Sequence, residues 1–317
     1  MTINEISAKL FSFNNYLIFC HTRPDGDTLG CAFALKMVLE KLGKEANIVC
    51  ASPIPQKFGI FAESSSVLLP ENISDVYDAH VAVDCSTANM IADSYLIFQK
   101  NPISFNIDHH ISNTKYAAYN YIEDTAACCE ILYKIIIASG CEIDNEIANR
   151  LLLGISTDTG NFMHNNVTEN TLSTAAKLVA AGGDLHKIAY KMFKSQPVER
   201  ATLFAQTISG MRFYEDGKIA IITIMQKDLQ DHSATQDMTE GFIDFPLSVD
   251  GVEVAVSLLE YRQNQYKVSL RSKGIVNVNE VAASFGGGGH ILASGCMISG
   301  FYEDVKDKLI RIIGFQL

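Results

Sequence analysis

The sequence predicts an α/β fold: an N-terminal domain on a parallel sheet, then a smaller α+β C-terminal domain, with a cleft between them. Three observations predict it. Up to about residue 185, short continuous apolar runs alternate with stretches of helical spacing. That is the pattern of buried parallel strands joined by crossover helices. The apolar runs end in polar turns that hold Asp and His. Beyond Arg212 the apolar period changes to two, and hairpin turns appear.

The elements follow in order. Tyr16-Leu-Ile-Phe-Cys20 reads as a buried strand and ends at the polar turn His21-Thr-Arg-Pro-Asp-Gly-Asp27. Thr28 is placed to cap a helix carrying Leu29, Ala32, Phe33, Leu35, Val38, Leu39 and Leu42, with Gly43 as its stop. Further strands are expected at Ala46–Cys50, His80–Asp84 and Ile103–Asp108, and helices at Ala126–Ile137, Ile147–Leu153 and Leu172–Ala181. Lys194-Ser-Gln-Pro-Val-Glu199 reads as a linker between two helical patterns, with Gln196-Pro197 as the place for a hinge. After it, Glu215-Asp216-Gly217 is a hairpin turn. Val252, Val254, Val256 and Leu258 alternate on one strand, and Tyr266, Val268 and Leu270 on the next, across a polar turn at 263–265. The expected division is 1–190, a linker over 191–204, and 205–317. The chain shows no internal repeat, and its one low-complexity segment is Gly286–Gly289.

Composition narrows the function. A length of 317 residues fits two domains at ~150 residues each. At 48% hydrophobic and 19% charged, the chain is a packed protein, which sets aside disorder and collagen-like repeats. Net charge is 25 − 36 = −11. That argues against long duplex nucleic acid as a partner, because such binding rests on basic neutralisation of phosphates. It leaves room for a short phosphate-bearing substrate held by a few local cations. None of the eight cysteines makes a CxxC pair, so a zinc ribbon or secreted disulfide framework is not expected, and the thiols read as reduced, small and buried. No signal peptide or membrane span is read, so the expected location is the cytoplasm, with no membrane partner. The oligomeric state is left open, a homodimer among the alternatives.

The chemistry lies in where the acids and imidazoles fall. Open parallel sheets bind ligands beyond the carboxyl ends of their strands. His21, Asp25 and Asp27 follow the first strand, Asp84 ends the third, and Asp108-His109-His110 ends the fourth. Asp158 follows the helical Leu151-Leu-Leu153 within Gly154-Ile-Ser-Thr-Asp-Thr-Gly160. Each has an ordinary explanation alone: Asp-Gly-Asp is a turn, Asp84 and Asp158 are helix caps, and His109-His110 is a surface pair. Together, at the strand ends of one domain, His21, Asp25, Asp27, Asp84, His109 and Asp158 make a coherent metal site. Carboxylates and imidazoles without Cys suit Mn²⁺ or Mg²⁺ better than structural zinc. Four carboxylates overload one ion, whereas two ions sharing a bridging carboxylate balance the charge. Two ions ~3.5–4 Å apart serve in-line displacement at phosphorus, with a water between them as nucleophile.

The segments His21-x-Arg-Pro-Asp-Gly-Asp27, Val81-Ala-Val-Asp84, Asp108-His-His-Ile-Ser-Asn113 and Gly154–Gly160 occur in the order found in the DHH phosphoesterase superfamily, which the chain resembles. The resemblance implies that His21, Asp25 and Asp84 hold one ion, most readily Mn²⁺ with Mg²⁺ as the alternative. It implies that Asp27, Asp84, His109 and Asp158 hold the other, with Asp84 bridging. It also implies that His110 faces the substrate phosphate, as charge stabiliser or as proton donor to the leaving oxygen.

In the second domain, Ser284-Phe-Gly-Gly-Gly-Gly-His290 is not a Walker A loop, since no Gly-Lys-Ser/Thr follows. Glycines nonetheless let a backbone approach a phosphate. With Ser269-Leu-Arg-Ser-Lys273, it resembles the DHHA1 domain that accompanies DHH domains. That resemblance implies that Arg271 grips a phosphate and that Gly287, Gly288 and His290 line its pocket. Arg262 and Lys273 are neighbouring candidates, and Asn113 is a further substrate-binding candidate. Among family branches the chain looks most like the NrnA type. The implied activity is hydrolysis of short single-stranded oligoribonucleotides, of 3′-phosphoadenosine 5′-phosphate, or of both. The alternatives are cleavage of linear di-AMP, polyphosphate or pyrophosphate, and a nucleotide sensor without catalysis, which the complete ligand set disfavours. Vicinal Cys128-Cys129, where the family more often has small hydroxyl residues, and the absence of an Arg shortly after Asp84 depart from the family pattern.

Overall fold

A computed structural model describes residues 1–61, 66–73 and 76–317, and the chain divides into two units, Met1–Ser195 and Gln196–Leu317. The first unit runs α1 (Ile3–Leu10), β1 (Asn15–Phe19), α2 (Gly26–Lys41), β2 (Glu45–Val49), β3 (Val67–Leu68), β4 (Ala79–Val83) and α3 (Tyr95–Phe98). It continues with β5 (Ser104–Asp108), β6 (Tyr119–Ile122), α4 (Cys128–Ser139), α5 (Asn145–Asp158), α6 (Glu169–Ala180) and α7 (Leu185–Ala189). A π-helical turn over Tyr190–Lys194 closes it.

Its sheet has the order β3-β2-β1-β4-β5-β6, and every pairing is parallel. Successive residues of β1 explain why the run is apolar throughout. Tyr16, Ile18 and Cys20 enter the large core beneath α2, α4 and α5. Leu17 and Phe19 enter a second core with Val49, Ala82 and Phe98 on the opposite face. Both faces are covered, so the period-two signal vanishes into a continuous run. The strand order turns back between β1 and β4, which opens the crevice where doubly wound sheets take ligands.

Three local expectations need correcting. Asp25, not Thr28, caps α2: its Oδ1 accepts the amides of Asp27 at 3.0 Å and Thr28 at 3.1 Å. The Thr28 hydroxyl instead donates to the Val83 carbonyl at 3.1 Å and ties α2 to the end of β4. Helix α5 continues through the Gly154–Asp158 segment, so Asp158 is its last residue rather than a loop acid. Strands β3 and β6 were not expected: one has two residues, and the other is half-buried along its length.

The second unit comprises α8 (Val198–Ser209), β7 (Arg212–Tyr214), β8 (Ile219–Ile224), α9 (Gln226–Asp231), α10 (Asp244–Ser248), β9 (Val254–Arg262) and β10 (Gln265–Ser272). Then come α11 (Val278–Ala283), β11 (Gly288–His290), β12 (Ala293–Ser299) and α12 (Tyr302–Gly314). Residues 191–204, expected as a linker, hold most of the π-helical turn and the first half of α8. The sheet order is β11-β12-β10-β9-β8-β7, antiparallel except for the β8–β9 pair. One face packs on α11 and α12 through Val281, Val305, Leu309 and Ile313. The other packs on Leu203 of α8 and Leu229 of α9. Strand β9 therefore buries both faces, Val256 and Leu258 on one side and Leu259 on the other, where simple alternation was expected. Among the described residues, no helix is long and apolar enough to cross a membrane.

Candidate metal centre

Each acid or imidazole reaches the crevice because an element ends there. His21 follows β1, and its Nδ1 donates to the Thr22 carbonyl at 2.8 Å, which turns Nε2 toward the acids of the cluster. Asp25 and Asp27 stand at the start of α2. Asp84 directly follows β4 and has a φ of 55°, a left-handed backbone that Asp tolerates better than most residues. His109 follows β5, and its Nδ1 donates to the Thr125 carbonyl at 2.9 Å, again directing Nε2 inward. Asp158 ends α5.

The side chains meet in two overlapping groups. His21 Nε2 lies 3.5 Å from both Asp25 Oδ1 and Asp84 Oδ2. His109 Nε2 lies 3.4 Å from Asp84 Oδ1, 3.5 Å from Asp158 Oδ2 and 3.9 Å from Asp27 Oδ2. Asp84 belongs to both groups, with one oxygen in each. His109 Nε2 and Asp84 Oδ1 are buried and make no hydrogen bond. Two buried polar atoms left unmatched at these separations are what a shared cation resolves, since ligands ~2.1 Å from one ion lie ~3 Å apart. The donor set is oxygen and imidazole nitrogen, so the residues fit a hard or borderline divalent ion.

Electrostatics agree. Asp27 is fully buried, and burial with the nearby Asp84 charge pushes its pKa up to about 7. Burial and the Asp27 and Asp84 charges push Asp158 up to about 9. Burial works against the charged form of His21, yet Asp25 and Asp84 outweigh it and push His21 up to about 11. His109 is likewise pushed up to about 10, against burial, by Asp84 and Asp27. A site that holds its own protons this tightly lacks positive charge.

Asp27 is also an anchor. Its oxygens accept the amides of Cys128 and Cys129, the first two residues of α4, at 2.5 and 3.0 Å. No side chain of its own caps α4, so Asp27 caps it from another element, facing the positive end of the helix dipole. Gly154 in α5 leaves the space for this contact. A Cβ there would stand 2.4 Å from Asp27 Oδ1 and 2.3 Å from Cys129 Sγ. Gly154→Ala is therefore expected to cost ~1–3 kcal/mol through overpacking. Thermal unfolding should shift downward by several degrees, whereas an unchanged midpoint would mean that the helices move apart freely.

Asp108 is placed behind the cluster. It accepts from His110 Nδ1 at 2.8 Å and from Asn113 Nδ2 at 2.6 Å. That hydrogen bond raises the His110 pKa, and His110 Nδ1 stands 3.6 Å from Asp84 Oδ1. Asn113, expected at the substrate, donates its amide to Asp108 and to Asn106 Oδ1 at 2.7 Å. Sequence reading missed a cavity of about 250 Å³ beside Asp25 and Asp158, lined by Lys57, Phe58, Thr157, Met192 and Phe193. Pro55-Gln-Lys-Phe58 carried no periodic signal to reveal it.

In the second unit Arg271 of β10 pairs with Ala293 of β12, which pairs with His290 of β11. Residues opposed across neighbouring strands point to one face, so Arg271 and His290 share a row opposite the Leu270 core. The same registers align Ser269, Gly295 and Gly288. At Gly287 a Cβ would lie 2.3 Å from the Gly295 carbonyl, so only glycine fits this approach of chains. Arg262 lies apart at the end of β9, over the Tyr261 ring, and Lys273 donates to the Val249 carbonyl.

Comparison with known proteins bears on this geometry. The DHH family, N-terminal domain, matches residues 15–155, and the DHHA1 domain matches residues 216–314. The bifunctional oligoribonuclease and PAP phosphatase NrnA of Thermus thermophilus is 29% identical over 316 residues, covering 93% of this chain and 90% of that protein. The fold is shared with an exopolyphosphatase-related protein from Bacteroides fragilis, with a TM-score of 0.86 at 24% identity over 99% of this chain and 97% of the other. It is shared more loosely with RecJ of Thermus thermophilus, solved in complex with Mn²⁺, with a TM-score of 0.54 at 13% identity. That match covers 99% of this chain and 55% of RecJ.

Proposed function

Because the chain belongs to the DHH/DHHA1 phosphoesterase family, of NrnA type, we propose that it hydrolyses phosphate esters on short oligoribonucleotides and on 3′-phosphoadenosine 5′-phosphate. The carrying observation is the cluster of four carboxylates and two imidazoles in which Asp84 Oδ1 and His109 Nε2 are buried without partners.

In this reading His21, Asp25 and Asp84 would hold one divalent ion, and Asp27, Asp84, His109 and Asp158 would hold the other. Mn²⁺ is favoured and Mg²⁺ is the alternative, in keeping with the Mn²⁺ bound by RecJ. The ions supply Lewis acidity and a nucleophile at neutral pH. The chain supplies the rest. Asp108 holds His110 by Nδ1 and favours its cationic form, so Nε2 is the atom that neutralises the phosphate or protonates the leaving oxygen. Arg271, with Gly287, Gly288 and His290 beside it, takes a further phosphate of the substrate by a forked contact. The residues that would hold both ions lie in the first unit and the Arg271 row in the second.

The test is a side-by-side assay with Mn²⁺. Its substrates are 3′-phosphoadenosine 5′-phosphate, 5′-phosphorylated RNA dimers to pentamers, linear di-AMP and pyrophosphate. Turnover of the RNA oligomers and the bisphosphate is the expected result. Preference for linear di-AMP would narrow the substrate class. Preference for pyrophosphate would overturn the substrate assignment while keeping the metal centre.

A further inference from the structure

The vicinal cysteines that depart from the family pattern lie directly behind Asp27. Cys31 of α2 and Cys129 of α4 bring their sulfurs to 3.4 Å, and Cys31 Sγ stands 4.0 Å from Asp27 Oδ1. All three residues are fully buried. The two sulfurs and a carboxylate oxygen lie within 4.8 Å of one another. The Cys128 thiol interacts with that of Cys31 and donates to the Ile107 carbonyl at 3.2 Å.

We propose that Cys31, Cys129 and Asp27 form a second cation site, for a thiophilic divalent ion such as Zn²⁺ or Cd²⁺, sharing Asp27 with the hard-ion centre. The geometry is close to what such an ion requires. Zinc bound by two thiolates at ~2.3 Å and a carboxylate at ~2.1 Å sets the sulfurs ~3.8 Å apart and each sulfur ~3.6 Å from the oxygen. The sulfur–sulfur distance of 3.4 Å and the Cys31 Sγ–Asp27 Oδ1 distance of 4.0 Å each lie ~0.4 Å from those values. Thiolates select soft ions, whereas the oxygen and imidazole cluster selects Mn²⁺ or Mg²⁺, so the two sites sort cations by chemistry. Asp27 faces both ways, with Oδ1 on the thiols and Oδ2 toward His109. A soft ion on Oδ1 draws on the charge that the hard ion needs, so the thiol site weakens hard-ion binding. Each bound thiol gives its proton to the buffer, and no electron moves.

The experiment uses the metal-free full-length protein and Cd²⁺ alone, so it stands apart from the proposed activity. Cadmium is titrated in while the ultraviolet sulfur-to-cadmium charge-transfer absorption is followed. The expected result is a band that saturates near one equivalent, is lost in Cys31→Ser and in Cys129→Ser, and is kept in Cys141→Ser. Cadmium NMR of the unmodified protein gives a reading that needs no variant, with a shift in the range of mixed sulfur and oxygen ligation expected. Absence of the band, its survival in both serine variants, or a shift typical of oxygen-only ligation would overturn the proposal.

Discussion

Asp84→Asn is expected to lower turnover by more than ~100-fold at saturating metal, beyond the loss typical of residues that only orient a ligand. Asp84 contributes one oxygen to each half of the cluster, at 3.5 Å from His21 and 3.4 Å from His109, so its loss would affect both proposed ions. Asn keeps the volume and tolerates the left-handed backbone at this position, so the fold should persist. A second readout separates chemistry from folding. At a 100-fold excess over Kd, metal adds ~2.7 kcal/mol to a protein that binds it only when folded. That is an upward shift of ~5–10 °C for a domain the size of the first unit. The wild type should show this shift with Mn²⁺, and Asp84→Asn should lose most of it. Turnover near the wild-type level would remove Asp84 from the bridging position.

Why some of this was legible in the sequence and some was not has a physical basis. Asp84 stood out because it ends the apolar run Val81-Ala-Val83, and His109 because it follows Asp108 at the end of a strand, where a polar group is either a cap or a ligand. The α2 cap was misread because Asp25-Gly-Asp-Thr28 offers three capping side chains in a row. The choice was settled by the Val83 carbonyl, which takes the Thr28 hydroxyl from 55 residues away. The anchoring of Asp27 on two amides of α4 has no local trace for the same reason. Strand β6 escaped because Tyr119–Ile122 is half-buried on both faces and shows neither alternation nor a continuous run. The parallel β8–β9 pair joins strands about 30 residues apart, and no turn between them announces it. Asn113 illustrates a different limit: a motif names the residue but not the partners of its amide, which are Asp108 and Asn106.

Raising the pH from 6 to 9 is expected to destabilise the metal-free protein and to strengthen metal binding. The folded-state pKa values of Asp27 (about 7), Asp158 (about 9), His109 (about 10) and His21 (about 11) all lie above the ~4 and ~6.5 of the unfolded chain. The folded state therefore holds more protons than the unfolded state, and stability falls as pH rises. For the histidines, the contribution is fully present below pH ~6.5 and is lost as pH rises through 10 and 11. For the two acids, it begins to fall above pH ~4 and is gone once pH passes about 7 and about 9. Asp25 has the opposite sign: burial disfavours its charge, but His21 lowers its pKa. Its contribution is complete above pH ~4 and does not change in this window. Ligation needs these same groups deprotonated, so metal binding must expel protons, and its affinity rises where the metal-free protein weakens. The unfolding midpoint without metal should therefore fall between pH 6 and 9, while the shift produced by Mn²⁺ grows. Calorimetry of Mn²⁺ binding at pH 7, in buffers of different ionisation enthalpy, should give heats that scale with the buffer, reporting at least one proton released. Heats that ignore the buffer, with a flat metal-free midpoint, would mean that the four carboxylates and two imidazoles do not share their charge, and the two-ion reading would fail with them.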